Sequence, residues 1–153
     1  MLHSVKRVPE IRYYHFRALD PNKRFSATTT LTVNVLDSDD LDPRFAAETY
    51  TAKVTSGASS GALRVLPEKI RAEDGDTLRS RIRYSLAAGS PPSFREHFAI
   101  DPDTGVVRQT RPVQKGEGAD LFDIVVMAEE ATPSRRSAKA RLLIQVSLSS
   151  DKK

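Results

Sequence analysis

The 153-residue sequence has no cysteine and no tryptophan. Without thiols, a disulfide framework, a thiolate zinc site and a cysteine nucleophile are all excluded. The absence of cysteine does not decide between a secreted and a cytosolic setting. Histidine is scarce, and His3, His15 and His97 are scattered. They have no spacing that pairs a nucleophile with a base or builds a histidine-rich metal site, so the chain does not read as an enzyme. His15 falls in an alternating stretch and is expected on an exposed sheet surface. No apolar run approaches the ~18 residues of a membrane helix. The first residues, Met1 to Arg7, lack the apolar stretch of a signal peptide. A helical period is missing too: residues 62–72 have a helix-like composition, but Pro67 in their midst argues against a helix.

What the chain has is charge, and the charge is unevenly placed. The formal net charge is +4, yet Asp37, Asp39, Asp40 and Asp42 put four carboxylates into six residues. A second acidic knot follows at Glu73-Asp74-Gly75-Asp76. Asp, Gly and Pro are turn residues, so one reading is a pair of solvated turns. The other is a hard-cation site, since calcium takes about 6–8 oxygen ligands and clustered carboxylates are their usual source.

Alternation dominates the rest. Thr29, Leu31, Val33 and Val35 alternate with Thr28, Thr30, Thr32 and Asn34, the period-two pattern of a half-buried strand. Phe122, Ile124, Val126 and Ala128 repeat it, as do Leu142, Ile144 and Val146, and a shorter case is Tyr14, Phe16 and Ala18. Turn signals separate these runs, among them Asp20-Pro21-Asn22, Gly89-Ser90-Pro91-Pro92 and Asp101-Pro102-Asp103-Thr104-Gly105. Short strands with breakers at this spacing predict an all-β sandwich. The chain also repeats itself: Ala18-Leu19-Asp20 followed by Leu31, Val33 and Val35 resembles Ala128-Glu129-Glu130 followed by Leu142, Ile144 and Val146, an offset of 110–111 residues. That period is one sandwich domain, so the chain reads as the tail of one repeat followed by a whole one, with the acidic segment at their junction.

Several stretches together resemble the extracellular repeats of cadherins. Asp37-Ser38-Asp39-Asp40-Leu41-Asp42-Pro43-Arg44-Phe45 looks like the inter-repeat linker of that family, an acidic run closed by a Pro-x-aromatic start. Ile70-Arg71-Ala72-Glu73-Asp74-Gly75-Asp76 is similar to its second-strand motif. Ile82 to Leu86, and Phe98 to Asp101 with Thr104-Gly105-Val106-Val107, resemble its middle strands and their Thr-Gly turn. The resemblance covers nearly the whole chain and implies a Greek-key, seven-stranded, immunoglobulin-like sandwich. Residues 1–36 would be the last strands of a truncated repeat, 37–44 a calcium-binding linker, 45–147 a complete repeat and 148–153 a tail.

By the same resemblance, one calcium site would draw on Asp39, the carbonyl of Leu41, Asp74, Asp76 and Glu130, which stands where the family usually has Asp. Asp37, the carbonyl of Ser38 and Asp40 would serve the sites above it. The acids that should complete those upper sites are missing around Val5-Lys6-Arg7-Val8, with Glu10 a distant stand-in. One well-supplied site and one or two deficient ones are therefore expected. At the far end Ser56, Val113-Gln114-Lys115-Gly116 and Leu148-Ser149-Ser150-Asp151-Lys152 replace three calcium motifs, which predicts a calcium-free exit. The implied function is that of an extracellular, calcium-stiffened fragment of a cell-adhesion protein. Its partners would be cadherin ectodomains, homophilic or heterophilic, and its parent would be membrane-anchored at the cell surface. Within the family the linker leans toward a long protocadherin of the tip-link or microvillar kind.

Three rival readings are weaker. An EF-hand frame from Asp37 to Glu48 has Leu41 at its fifth position and Asp42 where its turn needs Gly. Arg79, Arg81, Arg83, Arg135, Arg136, Lys139 and Arg141 suggest a polyanion- or glycan-binding module, with the first three on one strand face. No aromatic platform interleaves with them, so nucleic acid is not expected as a partner. A calcium-dependent glycan binder would want exposed aromatics near the ion, whereas Phe45, Tyr50 and Tyr84 read as core.

Overall fold

A computed structural model of the protein describes residues 10–22, 24–36, 38, 40–58, 61–76, 79–116 and 120–148. The chain divides into two compact units, residues up to Asp40 with 76–78, and residues 41–75 with 79 onward.

In the first unit β1 (Glu10–Leu19) pairs antiparallel with β2 (Ser26–Val35) over ten residue pairs, Glu10 facing Val35 and Leu19 facing Ser26. The turn between them is held by Asp20, whose Oδ1 accepts the Arg24 N–H at 2.7 Å and whose own N–H donates to the Phe25 carbonyl. His15 stands on the exposed surface of β1, its Nδ1 3.2 Å from Thr30 Oγ1. The half-burial expected of residues 29–35 is not found: every residue of β2 except Val33 is exposed. Alternation gives a strand an apolar face, but a two-stranded sheet has no second layer of its own to cover that face.

The second unit is a sandwich built around one five-stranded sheet. Its strands are β4 (Thr49–Thr55), β5 (Val65–Leu66), β7 (Ile82–Ser90), β10 (Leu121–Glu130) and β11 (Ser137–Ser147), in the order β5-β4-β11-β10-β7. Only β11 and β4 run parallel; the other pairs are antiparallel. Two short ribbons, β3 (Arg44–Phe45) with β6 (Ala72–Glu73) and β8 (Phe98–Ile100) with β9 (Val107–Gln109), supply further core residues. Alternation fixes the core directly. Tyr50, Ala52 and Val54 of β4, Phe122 through Ala128 of β10 and Leu142, Ile144 and Val146 of β11 are all buried at every second position. They meet Ile70, Phe98, Val107 and Val113 in a single cluster, with the Phe98 and Phe122 rings edge-to-face at 5.1 Å. Phe45 and Tyr84 join it, as expected of core aromatics.

Residues 62–72 are not helical, in keeping with Pro67. One helix exists among the described residues, the single turn α1 (Phe94–His97). Nothing in the alternation announces so short an element, because it is fixed by Phe94 entering the core rather than by periodicity. The Thr-Gly turn is also where glycine is required. Gly105 has φ +70°, and a Cβ there would lie 2.7 Å from the Ile70 carbonyl oxygen. In the same turn Asp101 accepts N–H bonds from Thr104 at 2.8 Å and Asp103 at 3.0 Å, which hold its carboxyl below the ordinary carboxylate range.

Replacing Gly105 with Ala combines a left-handed backbone with a carbonyl clash, so urea denaturation should show a loss of at least about 1–3 kcal/mol. Asp101 is a group of depressed folded-state pKa. Its contribution is present above the unfolded carboxyl value and is lost as pH falls through the folded one. Asp101→Asn should therefore flatten the acid limb of a melting-temperature profile recorded from pH 7 to 2, and an unchanged limb would show that the turn does not couple to protonation.

Candidate functional site

The second acidic knot follows a strand that is pinned from both sides. Ala72 pairs with Phe45 and Glu73 with Arg44, while the Tyr84 hydroxyl accepts the buried Ala72 N–H at 2.9 Å. Asp74 leaves this short strand and accepts the Ser80 N–H on Oδ2 at 2.6 Å. Gly75 lets the loop lie against Leu41, since a Cβ at Gly75 would meet Leu41 Cδ1 at 3.2 Å. Leu41 is thereby set beside the Asp74-Gly75 loop.

Glu130 reaches the same end of the sandwich by another route. It closes β10 opposite Ile82, the first residue of β7. Its N–H donates to the Arg136 carbonyl at 2.9 Å, and the next N–H, of Ala131, donates to the Arg81 carbonyl at 2.8 Å. Register decides which of two adjacent glutamates turns inward. Phe122, Ile124, Val126 and Ala128 face the core, so Glu130 follows them and is only 1% exposed. Glu129 faces outward and takes a two-pronged hydrogen bond from Arg135 at 2.9 and 3.1 Å. Among the described residues the buried charged side chains are Glu130 and Asp76, the latter 6% exposed. Carboxylates this deep are costly unless compensated.

The other sequence-derived ligands stand as follows. Asp37 and Asp39 lie outside the described residues. Ser38 uses one lone pair of its carbonyl to accept the Asp40 N–H at 2.9 Å, leaving the second as an acceptor. Glu10, the stand-in for the upper sites, is ion-paired with Arg12 at 2.9 Å, which holds its carboxyl below the ordinary range. Among the described residues no three His, Asp or Glu side chains gather into a metal-holding group. Within the second unit the sequence-derived donors are the Asp74 and Glu130 carboxylates and the Leu41 carbonyl, all oxygen, the chemistry a hard cation takes and a soft metal avoids.

The basic residues are not the free face that the sequence suggests. Arg79 and Arg81 precede β7 rather than lying on it, and Arg79 has φ +46°, so the three arginines do not share a strand face. Arg81 pairs with Asp103 at 2.8 Å, Arg136 with Asp42 at 3.3 Å and Arg135 with Glu129. Arg141 clamps Asp123 with two hydrogen bonds, which depresses the Asp123 carboxyl and raises the guanidinium. At the opposite pole the links are neutral. Lys115 N–H donates to Ser56 Oγ at 3.0 Å, Ser56 O–H lies 3.4 Å from Gln114 Oε1, and Gly57 N–H donates to the Val113 carbonyl at 2.9 Å.

A cadherin domain model matches residues 50–147, the span from β4 to the end of β11. The chain belongs to the cadherin family. Over 85% of its length this cadherin chain is 44% identical to Cadherin-99C of Drosophila melanogaster, of which it spans 8%. Over 80% it is 36% identical to the human Cadherin EGF LAG seven-pass G-type receptor 2, of which it spans 4%. The cadherin fold recurs in the mouse clustered protocadherin fragment PcdhgC3 EC1-3, with a TM-score of 0.73 over 90% of this chain and 43% of that one, at 24% identity. Mouse Cadherin-23 EC22-24 gives 0.62 over 89% of this chain and 42% of that one, at 22% identity. At such identity the structures speak for the fold alone. This cadherin chain is thus homologous to cell-adhesion proteins and spans a small part of each relative.

Tyr84→Phe removes the acceptor of a buried N–H beneath the acidic loop. It should cost about 1–3 kcal/mol and speed amide exchange at Ala72, while leaving exchange in β11 in step with the global loss.

Proposed function

We propose that this cadherin chain is an extracellular, calcium-binding joint between successive repeats of a membrane-anchored adhesion protein. Asp39, the carbonyl of Leu41, Asp74, Asp76 and Glu130 would hold the well-supplied site, and Asp37, the carbonyl of Ser38 and Asp40 would serve the upper, poorer ones. The observation that carries this reading is the burial of Glu130 and Asp76, two carboxylates of the expected ligand set in a chain that otherwise keeps its described charges at the surface. Residues 1–36 would then be the closing strands of a preceding repeat, and the exposed apolar side of β1 and β2 fits that view. Within the family a long parent protein is favoured, since the chain spans 8% of Cadherin-99C and 4% of the human Cadherin EGF LAG seven-pass G-type receptor 2.

Mechanically, clustered carboxylates repel one another, so the linker residues should separate and flex when they stand alone. Calcium would supply the positive charge that converts this repulsion into shared coordination. The chain's part is to hold the donors in place, through the Tyr84–Ala72 and Ser80–Asp74 hydrogen bonds and the register of β10. Extracellular modules of this kind bind calcium at about 10⁻⁴–10⁻³ M, so the joint would be occupied outside the cell. The neutral Ser56–Gln114–Lys115 contacts at the far pole favour an exit without calcium. The partners would be other cadherin ectodomains. The polyanion reading is the less favoured one, because four of its seven basic residues, Arg81, Arg135, Arg136 and Arg141, are each engaged by a carboxylate.

Calcium at about 100 times its dissociation constant should stabilise the chain by about 2.7 kcal/mol, seen as a rise in melting temperature. Asp74→Ala should abolish most of that rise, and small-angle scattering should show a narrower spread of dimensions with calcium than with chelator. A melting temperature indifferent to calcium in the parent chain would overturn the proposal.

A further inference from the structure

The five-stranded sheet is open and so has two edges, β5 and β7. Strand β5 is two residues long and runs into Pro67, too short to template another strand. Strand β7 is nine residues long, pairs with β10 on one side, and carries a single charge, Arg83, along Ile82–Ser90. An edge of that length and low charge offers its remaining N–H and C=O groups to any extended segment.

Two groups from outside the five-stranded sheet already occupy that edge. Near its start, the Tyr84 N–H donates to the Pro102 carbonyl at 2.9 Å. Further along, the β10–β7 register shifts between Val125 and Val126, leaving Ala87 as an extra residue between Leu86 and Ala88. In a regular strand, successive carbonyls point to opposite sides, and a bulge breaks that rule. Arg95 exploits the break, donating from one guanidinium nitrogen to the Leu86 carbonyl at 3.3 Å and from the other to the Ala87 carbonyl at 2.8 Å. Its position is set by α1. Phe94 is buried, and the Arg95 guanidinium carbon lies 4.9 Å from the centre of the Phe94 ring. Gly89 of β7 makes room for that ring, since a Cβ there would come within 2.9 Å of it. Between the two closures lies an open groove of about 310 Å³, floored by Tyr84, Leu86, Phe98 and Ile100.

We propose that Arg95 is a blocking group that keeps the β7 edge from pairing with the β7 edge of a second copy of this chain. The second copy is the occupant to be kept out because two identical edges pair antiparallel about a two-fold axis, each meeting the same groups on the other. With a single charge on the strand, little like-charge repulsion opposes that pairing. This device is independent of calcium and of the acidic pole.

Sedimentation equilibrium on the 153-residue chain and its Arg95→Ala and Arg95→Lys variants tests it, in chelator so that any calcium effect is absent. The parent should remain monomeric. Arg95→Ala should show an apparent mass that climbs with concentration toward twice the parent's. Arg95→Lys, a single point donor with no fork to span two carbonyls, should fall between. Amide exchange at Leu86 to Gly89 should slow as the Ala variant associates. A cooperative thermal melt identifies which variants are folded; if Arg95→Ala is not, Arg95→Lys alone decides. Folded variants that stay as monomeric as the parent, or that associate without added protection in β7, would overturn the proposal.

Discussion

The alternation of β10 is the constraint on which the second unit depends. Phe122, Ile124, Val126 and Ala128 occupy one face of a strand that is paired on both sides, and none is more than 1% exposed. Shifting that strand by one residue would turn all four to solvent, so its register is fixed by several side chains at once. Glu130 continues the same parity. Its burial follows from the register that the four apolar side chains impose.

The same logic separates the useful charges from the others. A net charge of +4 suggests a basic surface, but Arg71, Arg81, Arg135, Arg136 and Arg141 of the second unit are each matched by an acid, some from distant segments. Arg136 and Asp42 are 94 residues apart in the chain, and Arg81 and Asp103 are 22 apart. Each exposed pair contributes little to stability, about 0–1 kcal/mol. Their effect is to neutralise four of the seven basic residues that a polyanion would have met, Arg81, Arg135, Arg136 and Arg141.

Edges give the third theme. A sandwich whose principal sheet is open must dispose of two strand edges, and this one does so unequally, by brevity at β5 and by hydrogen-bonding groups at β7. The bulge at Ala87 and the glycine at position 89 are sequence features with little meaning along the strand itself. They gain one once α1 is docked, because the bulge turns a carbonyl toward Arg95 and the glycine admits Phe94.

Much of this was legible in the residues. The strands at 121–130 and 137–147, the acidic knots, the aromatic core positions and the 110-residue repeat are local patterns, and period two or simple identity reveals them. Parity alone also selects Glu130 over Glu129. The exposure of β2 was not legible, because alternation shows that a strand has an apolar face and cannot show whether a layer covers it. Neither were the arginine pairs, the Tyr84 hydrogen bond to Ala72 or the single helical turn carrying Arg95. Alternation in the chain was enough to locate the long strands β1, β2, β10 and β11 and the apolar face of each, since backbone geometry repeats every two residues. The tertiary structure decided which charges are neutralised, which loop the inward carboxylate meets and how the β7 edge is closed, since those outcomes depend on groups tens of residues apart meeting in space.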